Sequence, residues 1–142
     1  MHILLTRPLE DSKELIIKLT KLGHKISHMP VIQIEKFNYK IEDYSNFKGI
    51  IFTSANAIKF LETRLINKKI ICFCVGTATE KKALGTGFQN VICAEGNVNN
   101  LKELILQNFS PSTGKLLYVS GETISTDLDK DLLSNGYIVE RI

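Results

Sequence analysis

Residues Ile70–Val75 read IICFCV, six apolar residues with no polar interruption. A strand with one wet face alternates apolar and polar residues; a run that does not alternate is covered on both faces. Gly49–Thr53 (GIIFT) and Lys115–Ser120 (KLLYVS) have the same character, and shorter runs occur at His2–Thr6 and Asn90–Cys93. Segments with helical spacing lie between them. Leu15, Ile16, Leu19 and Leu22 recur within Leu9–Leu22, which Gly23 ends. Ala55–Leu65 carries Ile58, Leu61 and Leu65, and Asn99–Asn108 carries Leu101, Leu104 and Ile105 ahead of Phe109. Ala78–Leu84 reads as a short helix ending near Gly85–Gly87, and Ile124–Leu133 as a helix stopped by Asn135–Gly136. Strands alternating with helices of this length predict an α/β fold: a flavodoxin-like parallel sheet with helices on both faces.

The stretch from Lys25 to Ile34 is extended around Pro30, and Lys36–Phe47 is polar without a clean period. This predicts a crossing between two domains. The expected division is an opening strand–helix–strand at 1–33, a connector at 34–37, a complete α/β domain at 38–136, and the start of a return connector at 137–142. The 142 residues suit one domain rather than two full ones, so the first domain is expected to be incomplete. Ending on Tyr137–Ile142 (YIVERI) suggests that something follows in longer relatives. A two-stranded piece with one helix is not stable alone. Residues 1–33 are therefore expected to dock on another copy, as in a homodimer, or on the second domain, or else to stay mobile.

Several functional classes are excluded. No apolar run reaches the roughly 18 residues a membrane span needs, and the N-terminus has no signal-peptide pattern. The net charge of +3 is split between +5 in residues 1–71 and −2 in residues 72–142. That suits a small anionic ligand but supplies no basic stripe for nucleic acid, and there is no Trp to stack on bases. Cys72, Cys74 and Cys93 lack zinc-site spacing and read as reduced packing residues of a cytoplasmic protein; no metal site is expected. A dinucleotide fingerprint, a phosphate-binding loop and a zinc-protease motif are all absent. Gly85-Thr86-Gly87 follows a helix and reads as its stop. The three histidines, His2, His24 and His28, form no triad with a nucleophile that sequence alone can argue.

The chemistry then falls to the strand-to-helix turns. Four carry small polar residues: Thr6-Arg7-Pro8, Thr53-Ser54-Ala55-Asn56, Gly76-Thr77-Ala78-Thr79 and Ser120-Gly121-Glu122-Thr123. In a parallel sheet such turns lie along the carboxyl edge, where ligands bind at the point of strand-order reversal. Their helix-opening N–H groups hold carboxylates or phosphates. Ser54, Thr79 and Thr123 also read as ordinary N-caps, worth about 1 kcal/mol each in stability. Arg7 departs from capping, because a cation near a helix start opposes the dipole. The candidate substrate-binding set is Arg7, Thr53, Ser54, Ala55, Gly76, Thr77, Thr79, Ser120 and Gly121, with no side chain singled out as catalytic.

The order of these motifs resembles the uroporphyrinogen-III synthase family. Thr6-Arg7-Pro8 is followed by Leu22-Gly23 and by Met29-Pro30-Val31-Ile32. Ile51-Phe52-Thr53-Ser54-Ala55-Asn56-Ala57 looks like the family's FTS turn, and Cys74-Val75-Gly76-Thr77-Ala78-Thr79 like its VG-x-x-T turn. Ala94-Glu95-Gly96-Asn97 and Tyr118-Val119-Ser120-Gly121 fit the segments that follow. The resemblance implies an enzyme of heme biosynthesis that closes the linear tetrapyrrole hydroxymethylbilane into uroporphyrinogen III, inverting ring D and losing water. It implies no metal or cofactor, an eight-carboxylate substrate, and two α/β domains facing each other across a cleft. By motif, Ser54 and Thr79 are the cleft-facing polar candidates. A tyrosine that the family commonly places on the returning strand lies past residue 142, so weak or absent activity is expected of this chain. The alternative is a non-catalytic anion- or nucleotide-binding α/β module that reuses the same turns.

Overall fold

The computed structural model describes residues 1–122 and 124–142 and divides into two compact units, Met1–Phe37 and Asn38–Ile142. In the first unit, β1 (His2–Leu5) and β2 (Lys25–His28) pair in parallel, with α1 (Leu9–Lys21) between them. The helix has Glu10 and Asp11 in its first turn and Lys18 and Lys21 in its last, which complements its dipole. Gly23, at φ +81°, turns the chain out of it. The ladder continues past β2, where the Met29 and Val31 N–H groups donate to the Leu5 and Thr6 carbonyls. Among the residues of this unit only Ser12 is buried; Leu4, Ile17 and Met29 are each more than half exposed. Residues 29–43 form no helix or strand.

The second unit is built on one five-stranded parallel sheet. Its strands are β3 (Phe47–Phe52), β4 (Ile71–Val75), β5 (Asn90–Ala94), β6 (Lys115–Val119) and β7 (Val139–Arg141). Their spatial order is β5-β4-β3-β6-β7. The helices are α2 (Ala55–Phe60), α3 (Thr77–Gly85), α4 (Val98–Asn108) and α5 (Leu128–Ser134). Two cores lie on opposite sides of the sheet. Ile50, Phe52, Cys72, Cys74 and Leu117 pack with Ile58 of α2 and Ala83 of α3. Ile51, Phe73, Leu116 and Tyr118 pack with Leu101 and Ile105 of α4 and with Leu128 and Leu132 of α5. This is the three-layer α/β arrangement expected from the non-alternating strands. Val139–Arg141, read from sequence as the start of a return, pair with β6 as an edge strand.

Two helices differ from the sequence reading. The segment expected to be helical over Ala55–Leu65 stops at Phe60, and Leu61 is extended (φ −85°, ψ 142°). The Tyr39 hydroxyl donates to the Phe60 carbonyl at 3.4 Å and accepts from the Glu62 N–H at 3.0 Å, replacing the bonds that would continue the helix. Leu61 is buried, while Leu65, expected on the same face, is 66% exposed. The last helix starts at Leu128 rather than Ile124; Asp127 stands at its N-cap position without a side-chain capping bond, and Leu128 is its first buried side chain.

Close packing at the sheet centre explains one residue choice. A Cβ on Gly49 would lie 2.6 Å from Leu116 Cδ2 and 3.2 Å from Phe109 Cε2. Phe109 is itself pinned, edge-on to Phe73 and stacked on Tyr137, whose hydroxyl donates to the Phe109 carbonyl at 2.6 Å. Gly49→Ala is expected to destabilise the protein by about 1–3 kcal/mol through overpacking, read as a lowered midpoint in urea unfolding.

Candidate functional site

All strands of the larger sheet run the same way, so every strand-to-helix turn emerges on its carboxyl edge. The strand order reverses between β3 and β6: the chain passes from β3 outward through β4 to β5, then returns to β6 on the other side. The crevice at such a reversal is where open α/β sheets hold ligands. The turns after β3 and β6 flank it, and the turn after β4 lies one strand away. The sheet thus brings together Thr53, Ser54, Ala55, Gly76, Thr77, Thr79, Ser120 and Gly121. Arg7 belongs to the other compact unit. The Arg7 side chain is exposed, and its carbonyl accepts from His28 Nε2 at 2.8 Å and from the Ser12 hydroxyl at 3.5 Å.

The turns differ in how many amides they leave open. After β3, Ser54 is exposed and its Oγ accepts from the Asn56 N–H at 3.2 Å, so Ser54 is a true N-cap. Thr53 and Ala55 are half-buried beside it. After β5, Asn97 forms a full capping box: its side chain accepts from the Asn99 and Asn100 N–H groups, and Asn100 Oδ1 accepts from the Asn97 N–H. The Asn99 and Asn100 amides at the start of α4 are therefore taken by the cap.

The turn after β4 is different. Its N-cap is Gly76, at φ +81° and ψ 149°, a backbone region open essentially only to glycine. Glycine has no side chain to offer, and α3 has no side-chain cap. Thr77 and Ala78 are exposed over this uncapped end. Thr79 was expected as an N-cap; it is instead the third residue of the helix and is 4% exposed. Glu80, also in the first turn, complements the same dipole. What the turn offers an anion is therefore the exposed Thr77 hydroxyl and the first amides of the helix rather than net charge.

After β6, Ser120 is half-buried and Gly121 exposed. The Ser120 hydroxyl donates to the Gly121 carbonyl at 3.1 Å and accepts from Arg141 Nε at 2.7 Å. Arg141 Nη2 also donates to the Gly121 and Glu122 carbonyls, both at 2.9 Å. Sequence reading missed Arg141, because it lies about twenty residues from the turn it binds and only the β6–β7 register brings it there. Thr123, read as an N-cap, lies outside the described residues.

The cysteines are packing residues. Cys72 and Cys74 are fully buried, and burial pushes the Cys72 thiol up to about 12 and the Cys74 thiol well above its usual range. Neither supplies a thiolate nucleophile at neutral pH. Among the described residues no three His, Cys, Asp or Glu side chains gather as a metal site, and no helix is long and apolar enough to cross a membrane.

The sequence matches the family described as uroporphyrinogen-III synthase HemD over residues 13–142. No curated protein matches the chain. Among solved structures, the uroporphyrinogen-III synthetase from Helicobacter pylori 26695 is similar in fold, with a TM-score of 0.55 at 24% sequence identity. The similarity covers 81% of this chain and 53% of that one, so the chain spans about half the length of that protein. With a match running almost from end to end, and with the parallel sheet and glycine-capped turn now located on it, the chain belongs to the uroporphyrinogen-III synthase family.

Proposed function

We propose that this chain binds hydroxymethylbilane and supplies one wall of a synthase site that closes it to uroporphyrinogen III with inversion of ring D and loss of water. The observation that carries this reading is the family match over residues 13–142. The open amides and hydroxyls of the Gly76–Thr77 and Ser54 turns support it, since they suit a ligand bearing eight carboxylates. No nucleophile or base stands out among these turns, so the contribution we assign to them is orientation: holding the two ends of a flexible chain at bonding distance. The reaction we propose needs no metal or cofactor.

One wall orients less well than two. The chain alone is expected to yield little uroporphyrinogen III from enzymatically made hydroxymethylbilane. Chromatography of the oxidised products is expected to show mainly the uncatalysed type I isomer, with a full-length relative run alongside as the working control. Type III product at the control's rate would overturn the single-wall reading.

A substitution separates ligand binding from helix stability at the turn after β4. Thr77→Asp places a carboxylate at the first position of α3, where it favours the helix by about 0.3–1 kcal/mol. The same charge repels a carboxylate ligand. The expected result is equal or higher stability in urea unfolding, with binding of uroporphyrin III weakened roughly fivefold or more. Unchanged affinity would remove this turn from the site.

We further propose that residues 1–33 dock on a second copy of the chain. The support is the lack of buried apolar side chains in their unit, where Leu4, Leu22 and Met29 are exposed by 54%, 71% and 56%. Sedimentation equilibrium is expected to show a dimer that Leu4→Lys or Met29→Lys weakens. A monomer at all concentrations would contradict it.

A further inference from the structure

The carboxyl edge of the larger sheet carries one arginine built into a turn. Arg141 is the last residue of β7 and pairs in parallel register with Tyr118 of β6, two residues before Ser120. The register is extended by the Ser120 N–H, which donates to the Ile142 carbonyl at 3.0 Å. From this position the guanidinium donates three hydrogen bonds, to Ser120 Oγ at 2.7 Å and to the Gly121 and Glu122 carbonyls at 2.9 Å each. A guanidinium is a flat fork with five donors in fixed directions, so three such bonds define both its plane and the path of the backbone it binds.

Two consequences follow from the chemistry. The Ser120 hydroxyl has one proton, which goes to the Gly121 carbonyl, and its lone pair accepts from Arg141. Its orientation is therefore set by its neighbours. The arginine also occupies two backbone carbonyls beside the strand-order reversal. Bare carbonyl oxygens there would repel an anionic ligand; the guanidinium engages their lone pairs and sets a positive charge beside the turn that offsets the carboxylate of Glu122.

We propose that Arg141 is a positioning residue of the substrate-binding edge: through Ser120 and the Gly121 and Glu122 carbonyls it sets the β6 turn in the conformation that accepts a carboxylate of the linear tetrapyrrole. This rests on the function proposed above and adds a residue to it that none of the strand-to-helix turns contains. The role depends on the fork and not on charge alone. A lysine at 141 keeps the charge but is a single point donor, unable to hold three acceptors in one plane.

The test uses the full chain with uroporphyrin III, which carries the same eight carboxylates as the proposed product, as the fluorescent probe. Dissociation constants are measured for wild type, Arg141→Lys, Arg141→Met, Ser120→Ala and Ser120→Ala with Arg141→Lys. Hydrogen exchange of the peptide spanning residues 119–124 and urea midpoints are measured in parallel. Both Arg141 variants are expected to weaken binding about fivefold or more and to speed exchange across the turn. The Ser120→Ala change is expected to weaken binding as well. The double variant is expected to bind no more weakly than Arg141→Lys alone, because the two residues act as a unit. If Arg141→Lys binds like wild type, the fork has no role and the proposal is overturned, whether or not Arg141→Met is impaired. Should the Arg141 variants fail to fold, Ser120→Ala decides: unchanged affinity in that variant overturns the proposal. A wild-type chain that does not bind the probe contradicts the proposed function itself, and this inference falls with it; binding by wild type with no effect of the variants sinks the inference alone.

Discussion

The backbone ladder that joins β3 to β4 on one side and to β6 on the other is the constraint on which the rest of the larger unit depends. Gly49–Phe52 pair with Ile71–Cys74 and also with Leu116–Val119, so β3 has no free edge. Its side chains point alternately to two faces, and Ile50, Ile51 and Phe52 are all fully buried. Water is thus excluded from both faces, and each must be covered by helices. The crossover connections supply them, with α2 and α3 on one side and α4 and α5 on the other. The same parallel direction collects the turns along one edge, so the architecture of the core and the location of the candidate site have one cause.

Along that edge, capping decides which turns remain available to a ligand. Asn97 spends its side chain on the amides of its own helix, and Ser54 does so in part. Gly76 spends nothing, because it has no side chain, and the backbone there requires glycine. Stability and binding draw on the same orphan amides. The β6 turn follows a third course, in which an arginine from the neighbouring strand engages the turn's oxygens.

The two units differ in how far their own side chains stabilise them. The larger unit has two continuous cores, while the smaller has a helix, two paired strands and one buried residue, Ser12. Its Leu and Ile positions have helical spacing, yet Leu15 and Leu22 are 43% and 71% exposed. Amphipathic pattern shows that a face is suited to burial; it does not supply the partner that buries it.

Much was legible in the order of residues. The unbroken apolar runs at Ile70–Val75 and Gly49–Thr53 determined strands covered on both faces, hence a parallel sheet with helices on each side, because alternation is the mark of a wet face and here it is missing. The small polar turns after each strand followed from the same pattern, and their order resembled one family. Tertiary structure alone decided the rest. It ended α2 at Phe60, because the hydroxyl of Tyr39, distant in sequence, takes the helix's next bonds. It made Gly76 rather than Thr79 the cap of α3, since helix phase depends on where β4 stops against its neighbours. It also brought Arg141 to Ser120, a contact created by strand register, and register is a property of two strands together that neither segment carries in its own sequence.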